Sequence, residues 1–298
     1  MRVISKKRPS DNAGGRPPGR VNSRFQPYAW VNGALIPESR ASISIFDSAY
    51  LYGIGLFETL RASEGRIRFW NLHDQRLRSN AKKTGLRVPL SSTGFRKVIG
   101  HLLKKNRLRD STIRMMLSEN QDGSPSLVIT ARPYVPYPSR CYREGARIVF
   151  SRIMSADSKS LSAVKTTSYL SKMLPRREAA KRGADEALLI NEKGHVTEGA
   201  SSSLFVVKDG VLTTPPLSDG LLPGTRRKIV LGLAKKLRMS LWEKILLPKD
   251  LFSADEIFIT SSLKDIMPVG WVEGKKIGRE APGPLTQRLQ QIYQAAIR

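Results

Sequence analysis

A proline-rich segment at residues 133–140 divides this chain of 298 residues into two parts. The segment PYVPYPSR contains three prolines in eight residues. Proline fixes φ and removes a backbone donor, so a regular strand or helix does not run through such a segment. We therefore predict two domains, residues 28–132 and residues 141–298, joined by a linker at 133–140. The length of the chain suits two domains of ordinary size.

The chain is strongly basic, with 51 Lys and Arg against 25 Asp and Glu and a formal net charge of +26. Residues 1–24 hold seven of the basic residues, one acidic residue and few apolar ones. This composition predicts a flexible basic extension over residues 1–27. The remaining charge is spread along the chain, which favours a solvated surface over a nucleic-acid groove. No recognised nucleic-acid-binding motif accompanies it.

Cysteine, histidine and apolar runs bound the class of protein. The single cysteine, Cys141, cannot form an internal disulfide and suits a reducing compartment, so we predict a cytoplasmic protein. His73, His101 and His195 are not grouped with cysteine or acidic residues at ligand spacing, which predicts no metal site. No apolar run approaches the roughly 20 residues of a membrane-spanning helix.

The part before the linker has the pattern of strands followed by two helices. YAWVNGALIP predicts a hairpin with its turn at Asn32-Gly33. Strands are also predicted at ASISIF, on both sides of SEGR, and at STIRMMLS and SLVITARPY. LHDQRLRSNAKKT predicts a helix that ends at Gly85. A second helix is predicted from five apolar residues that share one face, Phe95, Val98, Ile99, Leu102 and Leu103.

The part after the linker mixes short strands and helices without strict alternation. Strands are predicted at ARIVF, EALLI, HVTEG, SSLFVV and EIFITSS. Helices are predicted at SYLSKMLPRREAAKRG, where Pro175 should begin or kink the helix, at PGTRRKIVLGLAKKL and at PLTQRLQQIYQAAI. This order predicts an α+β protein whose larger domain contains a mixed sheet or a barrel rather than a doubly wound parallel sheet.

Two ionisable residues lie where burial is expected. Glu198, in VTEGASSSLF, stands at a strand end next to small and apolar residues, where a carboxylate is costly unless it has a partner. Lys165, in LSAVKTTSY, is flanked by small and hydroxylated residues, and burial would lower its pKa. A neutral amine is what Schiff-base chemistry requires. Taken alone, Lys165 also fits an exposed lysine at the end of a strand.

Three other segments predict phosphate binding. LLPGTRRK places a Pro-Gly loop at a helix start, where unpaired backbone N–H groups bind phosphate, although the same pattern also fits a plain turn. TSS, at 260–262, supplies hydroxyls, and Arg76 supplies a rigid fork of donors. An amine, phosphate-binding groups and a buried carboxylate together match pyridoxal 5'-phosphate, whose ring nitrogen needs an acidic partner. We assign that partner role to Glu198.

The sequence resembles the class IV aminotransferases, which have fold type IV and include branched-chain aminotransferases, D-amino acid aminotransferases and 4-amino-4-deoxychorismate lyases. The resemblance covers roughly residues 28–298, and VTEGASSSLF followed by VVKDGVLTTPPLSDGLLPGTRRK is its strongest motif. It implies a small α/β domain and a larger domain with a mixed sheet or pseudo-barrel. It also implies a homodimer, because the neighbouring subunit closes the active site in this family.

The resemblance implies roles at the cofactor. Lys165 corresponds to the catalytic lysine that bonds to the cofactor and moves the proton, and Glu198 corresponds to the partner of the ring nitrogen. Tyr169 matches a position near the phenolic oxygen. The phosphate-binding positions are Arg76, Gly224, Thr225, Arg226, Ser261 and Ser262. The family often has Thr where Arg226 stands here.

The resemblance also implies residues that bind the substrate. They are Tyr52, Phe57, Arg114, Leu263 and Lys264. Two departures from the family pattern bear on this site. Thr112 stands where branched-chain enzymes typically keep a Tyr, and Ser203 replaces the Asn common before Leu-Phe.

Three functions compete on this basis. The first is a pyridoxal-phosphate-dependent aminotransferase that moves an amino group between an amino acid, branched-chain or similar, and a 2-keto acid. The second is a 4-amino-4-deoxychorismate lyase, which makes 4-aminobenzoate and pyruvate with the same lysine. The third is a basic nucleic-acid-binding protein, supported only by the net charge of +26.

Overall fold

The structure is a computed structural model that describes residues 27–153 and 159–297. The predicted basic extension lies outside the described residues, apart from Pro27. Within these ranges no helix has both the length and the apolar character needed to cross a membrane.

The first part of the chain forms an antiparallel sheet. In the described residues the sheet has six strands in the order β2-β1-β6-β5-β3-β4. The bounds are β1 Tyr28–Val31, β2 Ala34–Pro37, β3 Leu56–Ser63, β4 Arg66–Ile67, β5 Ser111–Glu119 and β6 Pro125–Pro133. The predicted hairpin is confirmed, since Val31 pairs with Ala34 across the turn at Asn32-Gly33. Asn32 and Gly33 both have positive φ, as a turn of this kind requires.

Two long helices cover one face of this sheet. They are α2, Trp70–Thr84, and α3, Ser92–Lys105, and they follow a short α1, Ser48–Tyr52, and a 3-10 turn, Glu38–Arg40. α2 ends at Gly85 in the left-handed conformation, as predicted. The apolar face predicted for α3 is confirmed, because Phe95, Ile99, Leu102 and Leu103 join the buried core of this sheet.

The strand predicted at ASISIF is wrong. Residues 41–46 are exposed and form no strand, so their alternating Ile and Ser have no sheet face to cover. The chain enters α1 instead, where the Asp47 side chain accepts hydrogen bonds from the Ala49 and Tyr50 N–H groups. Ser118 donates to the other Asp47 oxygen at 2.7 Å, which fixes the start of α1 to β5.

The second part of the chain forms a mixed sheet that curls into a half-barrel. Its described strands run in the order β12-β11-β10-β13-β14-β7-β8-β9, with β15 beside β14. The bounds are β7 Ala146–Phe150, β8 Glu186–Ile190, β9 Val196–Gly199, β10 Ser203–Lys208, β11 Val211–Thr214, β12 Leu241–Glu243, β13 Glu256–Ser261, β14 Asp265–Val272 and β15 Lys275–Lys276. The curl brings β9 back to β10, where the Gly199 N–H donates to the Ser202 carbonyl at 2.7 Å.

Helices surround this second sheet. They are α4 Arg140–Arg143, α5 Lys159–Ser162, α6 Leu170–Lys181, α7 Thr225–Lys236, α8 Pro248–Phe252 and α9 Pro284–Ala295, with a 3-10 turn at Leu217–Asp219. Pro175 lies inside α6 rather than at its start, so the helix begins five residues before it. The pairs β7–β8 and β7–β14 are parallel whereas β10, β13 and β14 pair antiparallel, which confirms the predicted α+β class with a mixed sheet.

Each sheet has its own apolar core. The core of the first sheet includes Leu60, Phe95 and Ile113, and the cores of the second include Ile259, Phe205 and Tyr293. The change from one sheet to the other falls between the end of β6 and the start of β7, and the predicted linker at 133–140 lies in that interval. A cavity lies where the two parts meet, and it contains the candidate site.

Candidate active site

A cavity of about 460 Å³ is lined by residues from both parts of the chain. Its walls include residues from segments 52–59, 161–176, 198–203, 222–226 and 260–263, together with Arg76 and Arg114. A volume of this size suits a small-molecule ligand. All of the predicted site residues except Lys264 contribute to these walls.

Lys165 lies on an irregular segment that is tied to β3. The Phe57 N–H donates to the Lys165 carbonyl at 3.0 Å, and the Thr167 N–H donates to the Gly55 carbonyl at 2.8 Å. The Lys165 Nζ lies 4.3 Å from the centre of the Phe57 ring and 5.6 Å from that of Tyr169. Burial, followed by the charge of Arg76, lowers the pKa of Lys165 to about 7. A large fraction of this amine is therefore neutral and nucleophilic near neutral pH.

Glu198 lies at the end of β9, with only 6% of its side chain exposed. Its Oε1 accepts a hydrogen bond from the Lys172 Nζ at 2.9 Å, and its Oε2 accepts one from the Leu222 N–H at 3.3 Å. These three residues line the cavity together with Lys165. The carboxylate is thus paired, as its burial requires, and it keeps lone pairs for a further donor.

Tyr169 stands beside Lys165 at the start of α6. Its ring meets the Phe57 ring edge-on, with 5.1 Å between the centres, and its hydroxyl donates to the Ala200 carbonyl at 3.2 Å. Burial and then the charge of Glu198 raise the pKa of Tyr169 to about 12. The hydroxyl therefore remains a hydrogen-bond donor at neutral pH.

The N-terminus of α7 faces the cavity. Gly224 is the N-cap, and no side chain in the described ranges caps this end of the helix. Thr225 and Arg226 follow as buried residues of the first turn, and all three line the cavity. A Cβ on Gly224 would lie 2.5 Å from the Ser203 Oγ, so glycine is required for this close approach. The first N–H groups of the helix form an anion-binding site.

Arg76 stands next to this N-terminus and is held by a buried carboxylate. Its Nε and Nη2 donate to the two oxygens of Glu58, each at 2.7 Å, and its Nη1 donates to the Pro223 carbonyl at 3.3 Å. Burial alone would raise the pKa of Glu58, but the charge and hydrogen bond of Arg76, together with those of His73, lower it to about 2. Glu58 is therefore ionised, and it fixes the orientation of the guanidinium.

His73 extends this network to the phosphate-binding positions. Its Nδ1 lies 2.6 Å from Glu58 Oε2, and its Nε2 lies 3.4 Å from both the Arg226 Nη1 and the Ser262 Oγ. Burial lowers the pKa of His73 to about 4 despite the opposing effect of Glu58, so the ring is neutral at neutral pH. Because an ionised carboxylate only accepts, Nδ1 carries the proton, and Nε2 is an acceptor for Arg226 and Ser262.

Ser261 and Ser262 both line the cavity at the end of β13. The Ser261 Oγ accepts the Lys264 N–H at 3.1 Å, which shapes the turn between β13 and β14. Tyr134 donates to the Leu263 carbonyl at 2.9 Å, and this bond attaches the same turn to the linker. Hydroxyl groups therefore reach the cavity from this turn, as the sequence predicts.

Four of the five predicted substrate-side residues line the cavity. Arg114 stacks on Phe57, with 3.6 Å from its Cζ to the ring centre, and its Nη1 donates to the Thr59 Oγ1 at 3.2 Å. Burial lowers the pKa of Arg114 from its ordinary value. Tyr52 is 72% exposed and stands at the rim, whereas Leu263 lies in the wall.

Lys264 differs from the other predicted site residues. Its ammonium group turns away from the cavity and donates to Glu186 at 2.9 Å and to the Ser201 Oγ at 2.7 Å. The Glu186 charge raises the pKa of Lys264, although burial opposes it. The side chain thus ties the turn after β13 to the turn between β9 and β10, and only its backbone is left for the predicted role.

Sequence reasoning missed Lys172, Glu58 and His73 as members of the site. Glu58 carries the same signal as Glu198, an acidic residue inside an apolar strand, and its buried position in β3 follows from that alternation. His73 lies three residues before Arg76 on α2, so the two share a helix face. Lys172 has no such signal, because one more lysine on a basic helix is ordinary.

The chain was compared with known proteins. The sequence model of the family described as "Amino-transferase class IV" matches residues 55–271. A putative branched-chain-amino-acid aminotransferase of Methanocaldococcus jannaschii is 33% identical over 274 residues, which cover 89% of this chain and 94% of that protein.

This chain is a member of the class IV aminotransferase family.

Solved structures agree with the family. The branched-chain amino acid aminotransferase of Escherichia coli has a TM-score of 0.86 at 29% identity, with 91% of this chain and 95% of that chain covered. The branched-chain amino acid aminotransferase of the organism abbreviated T.th., solved with pyridoxamine 5'-phosphate, has a TM-score of 0.84 at 27% identity and covers 91% and 94%. The family and the two-part fold predicted from the sequence are thereby confirmed.

Proposed function

We propose that this class IV aminotransferase uses pyridoxal 5'-phosphate to move an amino group between an amino acid, branched-chain or similar, and a 2-keto acid. The observation that carries the proposal is the buried Lys165 amine, whose pKa is lowered to about 7, in one cavity with Glu198 and the α7 N-terminus. The names of the relatives support the substrate class. The residues fit the cofactor, since the cavity offers an amine, an anion site and a buried carboxylate.

The bound cofactor supplies an aldehyde for the amine and an electron-withdrawing ring. Lys165 bonds to it and then, once released, removes and returns the proton at the substrate α-carbon. A pKa of about 7 suits both roles, because proton transfer is efficient when the pKa of the base lies near the working pH. Tyr169 stays protonated beside it and can donate to an anionic oxygen of the cofactor.

The two ends of the cavity match the two ends of the cofactor. Arg76 and the N–H groups of Thr225 and Arg226 form the phosphate site, together with Ser262. Glu198 is the acidic partner of the ring nitrogen and keeps a proton there. Ser261 and Gly224 complete the wall around the phosphate site.

The substrate side contains aromatic and cationic groups. Phe57 and Tyr52 provide apolar surface for a side chain. Arg114 faces the same space and can bind a carboxylate, and the turn at Leu263 and Lys264 offers backbone N–H groups. A branched apolar amino acid and a dicarboxylic partner would each find a complementary wall.

The test is to add pyridoxal phosphate to the purified protein and supply single L- or D-amino acids with a 2-keto acid. Leucine, isoleucine and valine should yield their keto acids, measured by chromatography, with one enantiomer strongly preferred. Lys165→Ala is the matched control and should yield none. A wild-type protein that binds no cofactor, or that binds it and turns over none of these amino acids, would contradict the proposal.

A lyase acting on 4-amino-4-deoxychorismate is the second candidate. The observation in its favour is the excess of cations in the cavity wall, where Arg114 and Arg176 join the phosphate-binding residues and Glu198 is the acidic residue among the lining residues described. Such a wall suits a substrate with two carboxylates. Release of pyruvate from aminodeoxychorismate in the absence of any keto acid would favour the lyase over the aminotransferase.

We also propose that the enzyme is a homodimer and acts in the cytoplasm. An apolar surface on the first part of the chain supports the dimer, since residues of 43–54 are about half exposed or more, namely Ile43, Ile45, Phe46, Tyr50, Leu51, Tyr52 and Ile54. A patch of contiguous apolar residues marks an interface. Tyr52 belongs to both this patch and the rim of the cavity. The single cysteine suits a reducing compartment.

Sedimentation velocity measures the state of assembly. Ile45→Asp should convert the dimer to a monomer, whereas Trp242→Asp, at an exposed apolar residue of the second part, should leave it unchanged. A wild-type protein that sediments as a monomer would contradict the proposed dimer.

A further inference from the structure

A second lysine lies in the cavity and is bound to the carboxylate that the proposed function assigns to the ring nitrogen. Lys172 is the third residue of α6, and its side chain is 12% exposed. Its Nζ donates to Glu198 Oε1 at 2.9 Å, whereas Glu198 Oε2 accepts the Leu222 N–H at 3.3 Å. Both lysines, 165 and 172, line the same space.

The ion pair places a cation beside the acid that should stabilise another cation. A protonated ring nitrogen carries a positive charge, and a nearby like charge disfavours it. A cation also draws the electron density of the carboxylate towards itself and takes up one of its oxygens as an acceptor. In this buried setting the interaction is stronger than at the surface, because screening by water is weak.

Other charged groups near Glu198 do not duplicate this effect. Lys165 interacts with Glu198 electrostatically, but its own pKa of about 7 leaves it partly neutral. Tyr169 remains uncharged at neutral pH, because its pKa is raised to about 12. Arg176 lines the cavity and is exposed to water, which screens its charge. Lys172 is the cation that makes the direct contact among the described residues.

We propose that Lys172 is a positioning residue that shares Glu198 with the ring nitrogen of the cofactor and weakens the hold of that nitrogen on its proton. The inference rests on the proposed use of pyridoxal phosphate. Lys172 keeps Glu198 ionised and oriented, and at the same time it limits how strongly the ring withdraws electrons. The balance between ring protonation and release would then depend on one side chain of α6.

The test measures the ring nitrogen directly. Wild-type and variant proteins are loaded with pyridoxal phosphate carrying ¹⁵N in the ring, and the ¹⁵N chemical shift is followed against pH. Lys172→Met removes the charge and should raise the pKa of the ring nitrogen by about one unit or more. Lys172→Arg keeps the charge and should stay close to wild type. Lys172→Gln gives the same comparison if the Met variant does not fold.

Lys181→Met is the matched control, because Lys181 is an exposed lysine at the other end of α6. It should leave the ¹⁵N titration unchanged. The inference is overturned if Lys172→Met and Lys172→Gln titrate like wild type, or if Lys181→Met shifts the titration as much as they do. Failure of the proposed function looks different, since the wild-type protein would then show no absorbance from bound cofactor at all.

Discussion

The two ends of the cavity each contain a buried glutamate, and the two are satisfied to different degrees. Glu58, at the phosphate end, accepts two hydrogen bonds from Arg76 and one from His73, and its pKa falls to about 2. Glu198, at the other end, has one lysine and one backbone N–H among the described residues. The first carboxylate is a structural element that orients other groups, whereas the second keeps capacity for a ligand.

This difference shows how burial alone misleads. Both glutamates lie in strands and both are almost fully buried. What separates them is the number and rigidity of the donors that surround each carboxylate, because a fully satisfied carboxylate has nothing left to offer a ligand. The comparison can be tested by changes at and between the two ends.

Lys165→Ala, between the two ends, should have the largest effect. Turnover should fall by at least about a thousandfold, because the amine is both the covalent attachment and the proton carrier. Some cofactor should remain bound through the phosphate end, which does not depend on the amine. Enzyme assay and equilibrium dialysis with pyridoxal phosphate measure the two quantities. Complete loss of cofactor binding would show that the phosphate end is not an independent site.

Glu58→Gln should chiefly affect stability. Removal of one partner of a buried ion pair leaves the Arg76 charge uncompensated, and the free energy of unfolding should fall by about 3 to 5 kcal/mol. Urea denaturation measures this change. A variant as stable as wild type but inactive would reverse the roles assigned to the two glutamates.

Glu198→Gln should chiefly affect the reaction. The neutral amide cannot hold a proton on the ring nitrogen, so turnover should fall by about a hundredfold, while the urea midpoint changes less than in Glu58→Gln. The ¹⁵N shift of the ring nitrogen provides a second readout and should move to the unprotonated value. A loss of stability without a loss of turnover would contradict the comparison.

His73 should give the phosphate end a pH dependence, which is the smallest of these effects. Its pKa is about 4 in the folded state and 6.5 ordinarily, so between these values the unfolded chain binds a proton that the folded chain does not. The free energy of unfolding should therefore decrease as the pH falls from about 6.5 to 4, by on the order of 2 to 3 kcal/mol. His73→Gln should flatten this decrease, and His101→Gln, at an exposed helix position, should not.

The sequence predicts the site where a residue type has a strong local reason. Gly224 before a helix, Glu198 in an apolar setting and Lys165 among small residues are each found in the cavity wall. Hairpin and helix ends at Asn32-Gly33 and Gly85 follow from glycine conformation in the same way. These positions depend on neighbours in the chain, so a single sequence contains the information.

Other features depend on contacts between distant segments. Lys172 meets Glu198 only because α6 packs beside β9, and Lys264 turns to Glu186 rather than to the cavity because a buried acid lies behind it. The strand expected at ASISIF is absent because no described strand lies beside it to accept its pattern. Strand β14 contains Pro268 and Gly270, which obscure its strand pattern although β7 and β13 pair with it.

The backbone of Lys165 is hydrogen-bonded to the first sheet at Phe57, whereas Glu198 and the α7 N-terminus belong to the second. The reactive nitrogen and the groups that would grip the rest of the ligand therefore ride on different rigid bodies. Any rocking of one body against the other changes the reach between them, so mutations at the seam, far from the chemistry, can tune the rate by altering alignment.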